Sequence, residues 1–306
     1  MLLVGAKGAA GDTVIDYLER PPAGDGMTIL DLRPADRCSS GSFAGARCLP
    51  VTDVLGPHRR LAGFSGILWL LGSAGLDGSE RVLIIGDRPA DREFMAGLLY
   101  LAGQRRISIL TTAASNAAGS SPGTPRGRTR ERIWQAPVRA DRILLRSELA
   151  TRLASARPPV LIDGRSEAEY WGERIRALRG GHLPGAQHLP LSPPGGAGAV
   201  SFGPEAFGGA PVAYAHDSYE GLVYLSRLVA LGVDARLYLE GWVGWASDGA
   251  LPVDSLSFPS VPGAAAVVRA ADPGSPRRMW LPWLAVVLAG PLLLLLVFQA
   301  GRRWRR

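Results

Sequence analysis

The stretch that most constrains this chain runs from Val160 to Pro190, VLIDGRSEAEYWGERIRALRGGHLPGAQHLP. Val160-Leu161-Ile162 is a short apolar, β-branched run and reads as a buried strand. It ends in Asp163-Gly164-Arg165. Ser166-Glu167-Ala168-Glu169 comes next with the pattern of a helix start, Ser166 as N-cap and Glu169 at the third position. After an Arg-rich segment, Gly181-His182-Leu183-Pro184-Gly185-Ala186 forms a turn that feeds a second strand over 187–191. So much punctuation in thirty residues admits few folds.

The chain beyond repeats the grammar of an α/β protein. Pro211 to Tyr214 reads as a strand entering a six-residue loop, Ala215-His216-Asp217-Ser218-Tyr219-Glu220. A helix with Leu222, Leu225, Leu228 and Val229 at helical spacing succeeds it and stops at Gly232. A strand over 235–239 leads to the turn Glu240-Gly241-Trp242-Val243-Gly244-Trp245 and the exit Leu251-Pro252-Val253. With the strand–Asp-x-Arg–turn stretch, this Gly-Trp-x-x-Trp closing motif resembles the rhodanese (sulfurtransferase) family. The resemblance covers 160–253 closely and 28–110 loosely.

In that looser copy Thr28-Ile29-Leu30 precedes Asp31-Leu32-Arg33, and Gly41-Ser42-Phe43-Ala44-Gly45-Ala46 stands where the Gly-His-Leu-Pro-Gly-Ala turn would be. Strands over 81–85 and 107–110 flank a helix over 93–102 closed by Gly103. This is a degenerate internal repeat. The resemblance implies an α/β fold of two rhodanese-like domains, each a mainly parallel five-stranded sheet with helices on both faces. Residues 12–18 read as a short opening helix capped by Asp12, and Ser147 as the cap of a helix over 147–153. The expected organisation is a degenerate copy over 1–110, a flexible linker over 111–131 and the fuller copy over 132–253, begun by Ile133, Trp134 and Val138.

After these come a juxtamembrane linker over 254–278, a transmembrane helix over 279–298 and a basic tail over 299–306. Met279 to Phe298 is twenty residues without a charge, which matches a bilayer's hydrocarbon core. Trp280, Trp283 and Trp304 lie near its ends. Arg277, Arg278, Arg302, Arg303, Arg305 and Arg306 flank it, and the formal charge of +7 less those six leaves +1. The rest of the chain is near neutral, which argues against nucleic acid as a partner. The segment makes the protein a single-pass membrane protein, of a bacterial inner membrane. Four arginines after the span and two before it favour an inside C-terminus, whereas no leader is visible before residue 28. The resulting expectation is a tail anchor with cytoplasmic domains.

The resemblance also locates the chemistry. Active members carry a cysteine directly after the central strand, because a thiolate can accept a sulfane sulfur as a persulfide, and a ring of amides at a helix N-terminus stabilises it. Here that position is Ala215, and in the first copy Gly86, followed by Asp87. Three readings are open. Both copies are catalytically silent, and the loop 215–220 serves recognition of an anion or of a partner such as a sulfur-carrier protein. Or Cys38 or Cys48 acts as a displaced nucleophile, although ordinary structural cysteine is the plainer reading, with a disulfide conceivable only in an oxidising compartment. Or His216 works as nucleophile or base beside Asp217 or Glu220, against the plainer reading of an exposed loop histidine. Asp163 and Arg165 read as a structural pair. Gly181, His182, Gly185, Gly241 and Trp242 read as framework, as does Trp245. His58 and His188 lack a constellation, so neither metal nor cofactor is expected.

Overall fold

A computed structural model describes residues 15–22, 26–117, 119, 121–192, 202 and 206–255. The first half is built from β1 (Ile15–Leu18), β2 (Met27–Asp31), α1 (Ala35–Ser40), β3 (Arg47–Cys48), α2 (Val51–Val54) and α3 (Phe64–Ser73). It continues with β4 (Arg81–Ile85), α4 (Pro89–Ala102), β5 (Arg106–Leu110), α5 (Ala114–Ala117) and β6 (Thr124–Pro125). The second half holds β7 (Ile143–Leu144), α6 (Arg146–Leu153), β8 (Leu161–Asp163), α7 (Glu167–Tyr170) and β9 (Gln187–His188). It closes with β10 (Val212–Tyr214), α8 (Ser218–Ala230), β11 (Arg236–Tyr238) and α9 (Gly241–Ala246).

Two sheets result, ordered β1-β5-β4-β2-β3-β6 and β7-β11-β10-β8-β9. Numbered within each half, the first five strands of both sheets adopt the same order, 1-5-4-2-3, and every ladder is parallel. Parallel strands need crossovers and burial on both faces. Strand β10 shows how the alternation delivers this. Ala213 and Ala215 face the core that contains α8, while Val212 and Tyr214 face the one that contains Leu149 of α6 and Trp242 of α9. Strand β4 divides likewise, Val82 and Ile84 toward α3 and α4, Leu83 and Ile85 toward Ala114 of α5 and Phe43.

The two halves share one core through α4 and α8, each the helix that comes after the third strand in its sheet's order. Phe94, Leu98 and Leu101 of α4 and Leu222, Leu225 and Val229 of α8 belong to one cluster. Gly97 makes the approach possible, since a Cβ there would fall well inside contact distance of the Leu222 carbonyl. Across the seam Arg227 of α8 grips Glu93 of α4 with Nε and Nη2, at 3.0 and 2.7 Å, and Tyr17 of β1 donates to the same carboxylate.

Several sequence expectations give way here. Residues 15–18 are a strand, not part of a helix. Ile15 is fully buried and its backbone finds the open edge of β5, a partner more than ninety residues away; Asp12 lies outside the described residues. The first sheet has six strands, not five, because β6 of the expected linker adds to β3. Gly127 and Glu131 continue its attachment through backbone bonds to Ser73 and Gly72, and Arg126 pairs with Asp53. Trp134, expected to open the second copy, donates to the Ala102 carbonyl of the first.

Helix α6 begins at Arg146 after Leu145, so Ser147 is inside it and makes no cap bond. The Gly-Trp-x-x-Trp turn is a short helix, α9. The second strand of the opening stretch is only Gln187–His188. Cys38 and Cys48 form a disulfide, both fully buried, with Gly123 against the two sulfurs. Among the described residues no helix is long and apolar enough to cross a membrane, and 279–298 lies outside them.

Two variants test this packing. Gly97→Ala should lower unfolding free energy by ~1–3 kcal/mol in urea titrations, because the clash at the α4–α8 seam outweighs alanine's gain in helix propensity. Cys48→Ser should cost ~2–4 kcal/mol, the range for loss of a native cross-link, and reducing agent should then have no further effect on its midpoint.

Candidate functional site

At the end of β8, Asp163 turns its carboxylate back on Arg165. The Arg165 backbone N–H donates to Oδ1 at 2.9 Å, Nε spans both oxygens at 3.0 and 3.1 Å, and Nη2 reaches Oδ2 at 2.6 Å. Nη2 also donates to the Gly181 carbonyl at 2.8 Å, which clamps the Gly-His-Leu-Pro-Gly-Ala turn to the strand end. The guanidinium lies over the Trp242 ring, 4.7 Å from its centroid. Both charges are buried. Burial pushes Arg165 down, but the bonds to Asp163 outweigh it and hold the guanidinium above its ordinary range. Asp31 and Arg33 repeat the arrangement in the first half and clamp the Gly41 carbonyl.

The turn itself is structural. Gly181 and Gly185 have φ of 101° and 72°, which favours glycine at both positions. His182 stacks on Tyr170 at 3.7 Å, and its Nδ1 bonds the Tyr170 carbonyl. In the first copy Ser42 takes the histidine's place and donates to Asp31 instead. His188 bonds the Arg165 carbonyl through Nε2.

This frame presents the loop 215–220 at the end of β10, the middle strand of its sheet. Trp242 and Val243 of α9 donate backbone bonds to the Ala215 and His216 carbonyls at 2.8 and 2.9 Å. Gly241, at φ 62°, lies so close that a Cβ would stand 2.8 Å from both carbonyl oxygens. The closing motif is therefore the floor under the loop. Asp217 caps α8 by accepting the Glu220 N–H at 2.9 Å, which satisfies one of the helix's first-turn amides. A cavity of about 180 Å³ opens beside the loop, lined by Ala215, Tyr219, Glu220 and Tyr224 together with Ala90 from the first half. Tyr219 is held by that half. Its ring stacks on Phe94 at 4.8 Å, its hydroxyl donates to Asp91 at 2.5 Å, and Arg59 lies 3.9 Å from its centroid.

Charge around the loop is nearly balanced. Arg176 donates to Glu169 at 2.9 Å and to Glu220 at 2.7 Å, and Arg59 stands 3.9 Å from Asp217. Three carboxylates face two guanidiniums, with His216 neutral. His216 is buried rather than exposed, and Asp217 and Glu220 are committed elsewhere. The carboxylate near it is Glu169, with Oε1 3.8 Å from Nδ1, too far for a hydrogen bond. Among the described residues that Nδ1 has no hydrogen-bond partner. Burial, then Arg176, pushes His216 below its ordinary pKa. Burial pushes Glu169 up, but the Ser166 hydroxyl and Arg176 outweigh it and leave the carboxyl below its usual range.

Ser166 does stand at the N-cap, but its hydroxyl donates to Glu169 rather than receiving a backbone N–H. The roles of Glu169, Arg176 and Arg59 escaped sequence reading. Glu169 carried only a capping signal, and the other two reach the loop from 44 and more than 150 residues away.

The first-half loop is closed. The Gly86 carbonyl accepts the Ala114 N–H and an Arg92 guanidinium N–H, and the same guanidinium donates to the Thr111 carbonyl at 2.9 Å. Asp87 accepts the Ser115 N–H. Among the described residues no three His, Cys, Asp or Glu side chains are grouped to hold a metal ion.

No family model matches the chain, and no curated protein matches it. Solved structures do. A probable thiosulfate sulfurtransferase shares 25% identity at a TM-score of 0.53, covering 76% of this chain and all of its own. YnjE shares 18% at 0.58, covering 76% of this chain and 63% of its own. An anaerobic ergothioneine biosynthesis enzyme from Chlorobium limicola, in complex with trimethyl histidine, shares 18% at 0.57, covering 76% and 65%. The chain thus spans less than two thirds of the latter two. The likeness gives the described residues a rhodanese-like fold.

The buried histidines set an acid response. Burial is the first cause of depression for both His182 and His216, so the folded protein resists protons that the unfolded chain accepts near pH 6.5. Unfolding free energy should therefore be complete above that pH and fall as pH drops through about 6.5 toward the lower folded values. In His216→Gln the loss between pH 7 and 5 should be shallower; an unchanged slope in urea titrations would mean that His216 does not contribute to the acid response.

Proposed function

We propose that this chain is a membrane-anchored tandem rhodanese-like protein that has given up sulfur transfer and acts as a binding or regulatory module. One observation carries the reading. The residue at the head of the α8 loop, where a persulfide would have to be carried, is Ala215, and the chain's only cysteines are joined to each other and buried in the first half. A methyl group has no lone pair to attack a sulfane sulfur. The electrostatics point the same way. The guanidiniums around the loop, Arg176, Arg59 and Arg227, already face carboxylates, so an anion such as thiosulfate would be met chiefly by the helix N-terminus, worth about half a charge. The first copy supports the reading through Gly86, whose loop is tied down by Arg92 and Ala114.

The alternative, a sulfurtransferase working through Cys38 or Cys48, needs one of them as a free thiolate near an acceptor site. The described structure contains no free cysteine.

The disulfide also bears on location. Such bonds persist in oxidising compartments, and the four arginines after the apolar segment 279–298, against two before it, favour an inside C-terminus. Together they support domains on the extracytoplasmic side of the membrane, the orientation opposite to that expected of a tail anchor. Mass spectrometry of alkylated protein from cells should find Cys38 and Cys48 joined; two alkylated thiols would return the domains to the cytoplasm.

For activity, the full chain in detergent should show no turnover of thiosulfate or 3-mercaptopyruvate to cyanide and no added sulfur by mass. Ala215→Cys should gain a mass shift of one sulfur atom on exposure to thiosulfate, with sulfite released, because the loop and the N-terminus of α8 beside position 215 are in place. Wild-type turnover that vanishes in Cys38→Ser would overturn the silent reading.

A further inference from the structure

The loop from Glu173 to Gly180 is turned inside out. Two of its three arginines, Arg176 and Arg179, turn their guanidiniums back onto the protein. Arg176 reaches Glu169 and Glu220, and Arg179 donates to the carbonyls of Trp245, Ala246, Asp248 and Leu251. Its aliphatic residues point out, Ile175 being 58% and Leu178 81% exposed. Hydrophobic burial alone would place these residues the other way round.

Two more exposed aliphatics border the same region. Val243, 41% exposed, lies on α9, whose last residues Arg179 holds. Leu145, 54% exposed, precedes Arg146, which bonds Glu240 and the Gly244 carbonyl at either end of the same helix turn. Four of the six exposed large apolar side chains among the described residues thus gather around α9 and this loop.

The chain leaves the described unit beside the same loop. Asp254 and His182 exchange backbone bonds at 2.8 and 3.0 Å, and the Ser255 hydroxyl donates to the Trp171 carbonyl. In sequence, residues 256–278 come next, and then the uncharged segment 279–298 between arginines.

We infer that this face rests on a lipid bilayer, with Ile175, Leu178, Val243 and Leu145 dipping into the headgroup boundary. The inference depends on the membrane anchoring proposed above and adds which face meets the lipid. Aliphatic side chains beside an exposed arginine, Arg174, suit an interface of acyl chains and phosphates. Only 23 residues, 256–278, separate the exit from the uncharged segment, a separation short enough to keep the exit face near the surface at high effective concentration. Val243 donates its backbone N–H to His216, so the Ala215 loop lies at the same end of the domain. Its ligand would be met at the membrane surface.

The experiment uses the full chain in nanodiscs of phosphatidylethanolamine and phosphatidylglycerol, one copy per disc. A nitroxide is attached at Leu178→Cys, and a control nitroxide at Ile133→Cys, the native disulfide being buried. The ratio of oxygen to nickel-chelate collisions should be severalfold higher at 178 than at 133, as for a label at the acyl boundary. Equal ratios in a chain that resists carbonate extraction from membranes would overturn the docking face and leave the anchor standing. Extraction by carbonate would overturn the anchor itself. A label at 178 shielded from both reagents only in discs holding two copies would assign the face to a second copy of the chain, and would overturn lipid docking.

Discussion

Everything around the second-half loop depends on one buried ion pair. Asp163 and Arg165 are two residues apart, yet their charges are out of water and must satisfy each other and their surroundings. They do so by recruiting the Gly181 carbonyl and the face of Trp242. The pair thereby ties together a strand end, a turn 16 residues further along, and the helix α9 that floors the Ala215 loop. Removing either partner would strand a charge, so the pair and its bonds can stand apart from the other features of the motif. The first half shows this directly. Its turn has Ser42 and Ala44 where the second half has His182 and Pro184, but Asp31, Arg33 and the Gly41 carbonyl make the same bonds.

The framework of the 215–220 loop does not depend on the side chain at its head. Gly241, Trp242 and Asp217 shape the loop through backbone contacts and a helix cap, none of which involves the side chain at 215. Arg176 and Arg59 face the loop's own carboxylates, so much of the charge around it is offset locally.

Much of this was legible in the chain. The strand runs, the Asp-x-Arg anchors, the glycines at 181, 185 and 241 and the repeat itself could be read because each rests on local requirements, a β-branched run, a positive φ or a short-range ion pair. The features that escaped reading are long-range. Ile15–Leu18 looked helical because its partner, β5, lies at the far end of the half. Thr124–Pro125 looked like linker because its composition is polar, while its place is decided by an open strand edge beside β3. Glu169 looked like a cap because nothing local announces that Arg176 will take its carboxylate.

By itself the sequence determined the fold class, the repeated architecture and the residue at the head of each loop, since these come from periodicity, turn chemistry and residue identity. Tertiary structure decided which groups meet: the bond between Cys38 and Cys48, the burial of His216 beside Glu169, and the grip of Phe94, Asp91 and Arg59 on Tyr219. The physical reason is distance along the chain. Local preferences choose the elements, but contacts across dozens to more than a hundred residues exist only once two sheets share a core through α4 and α8.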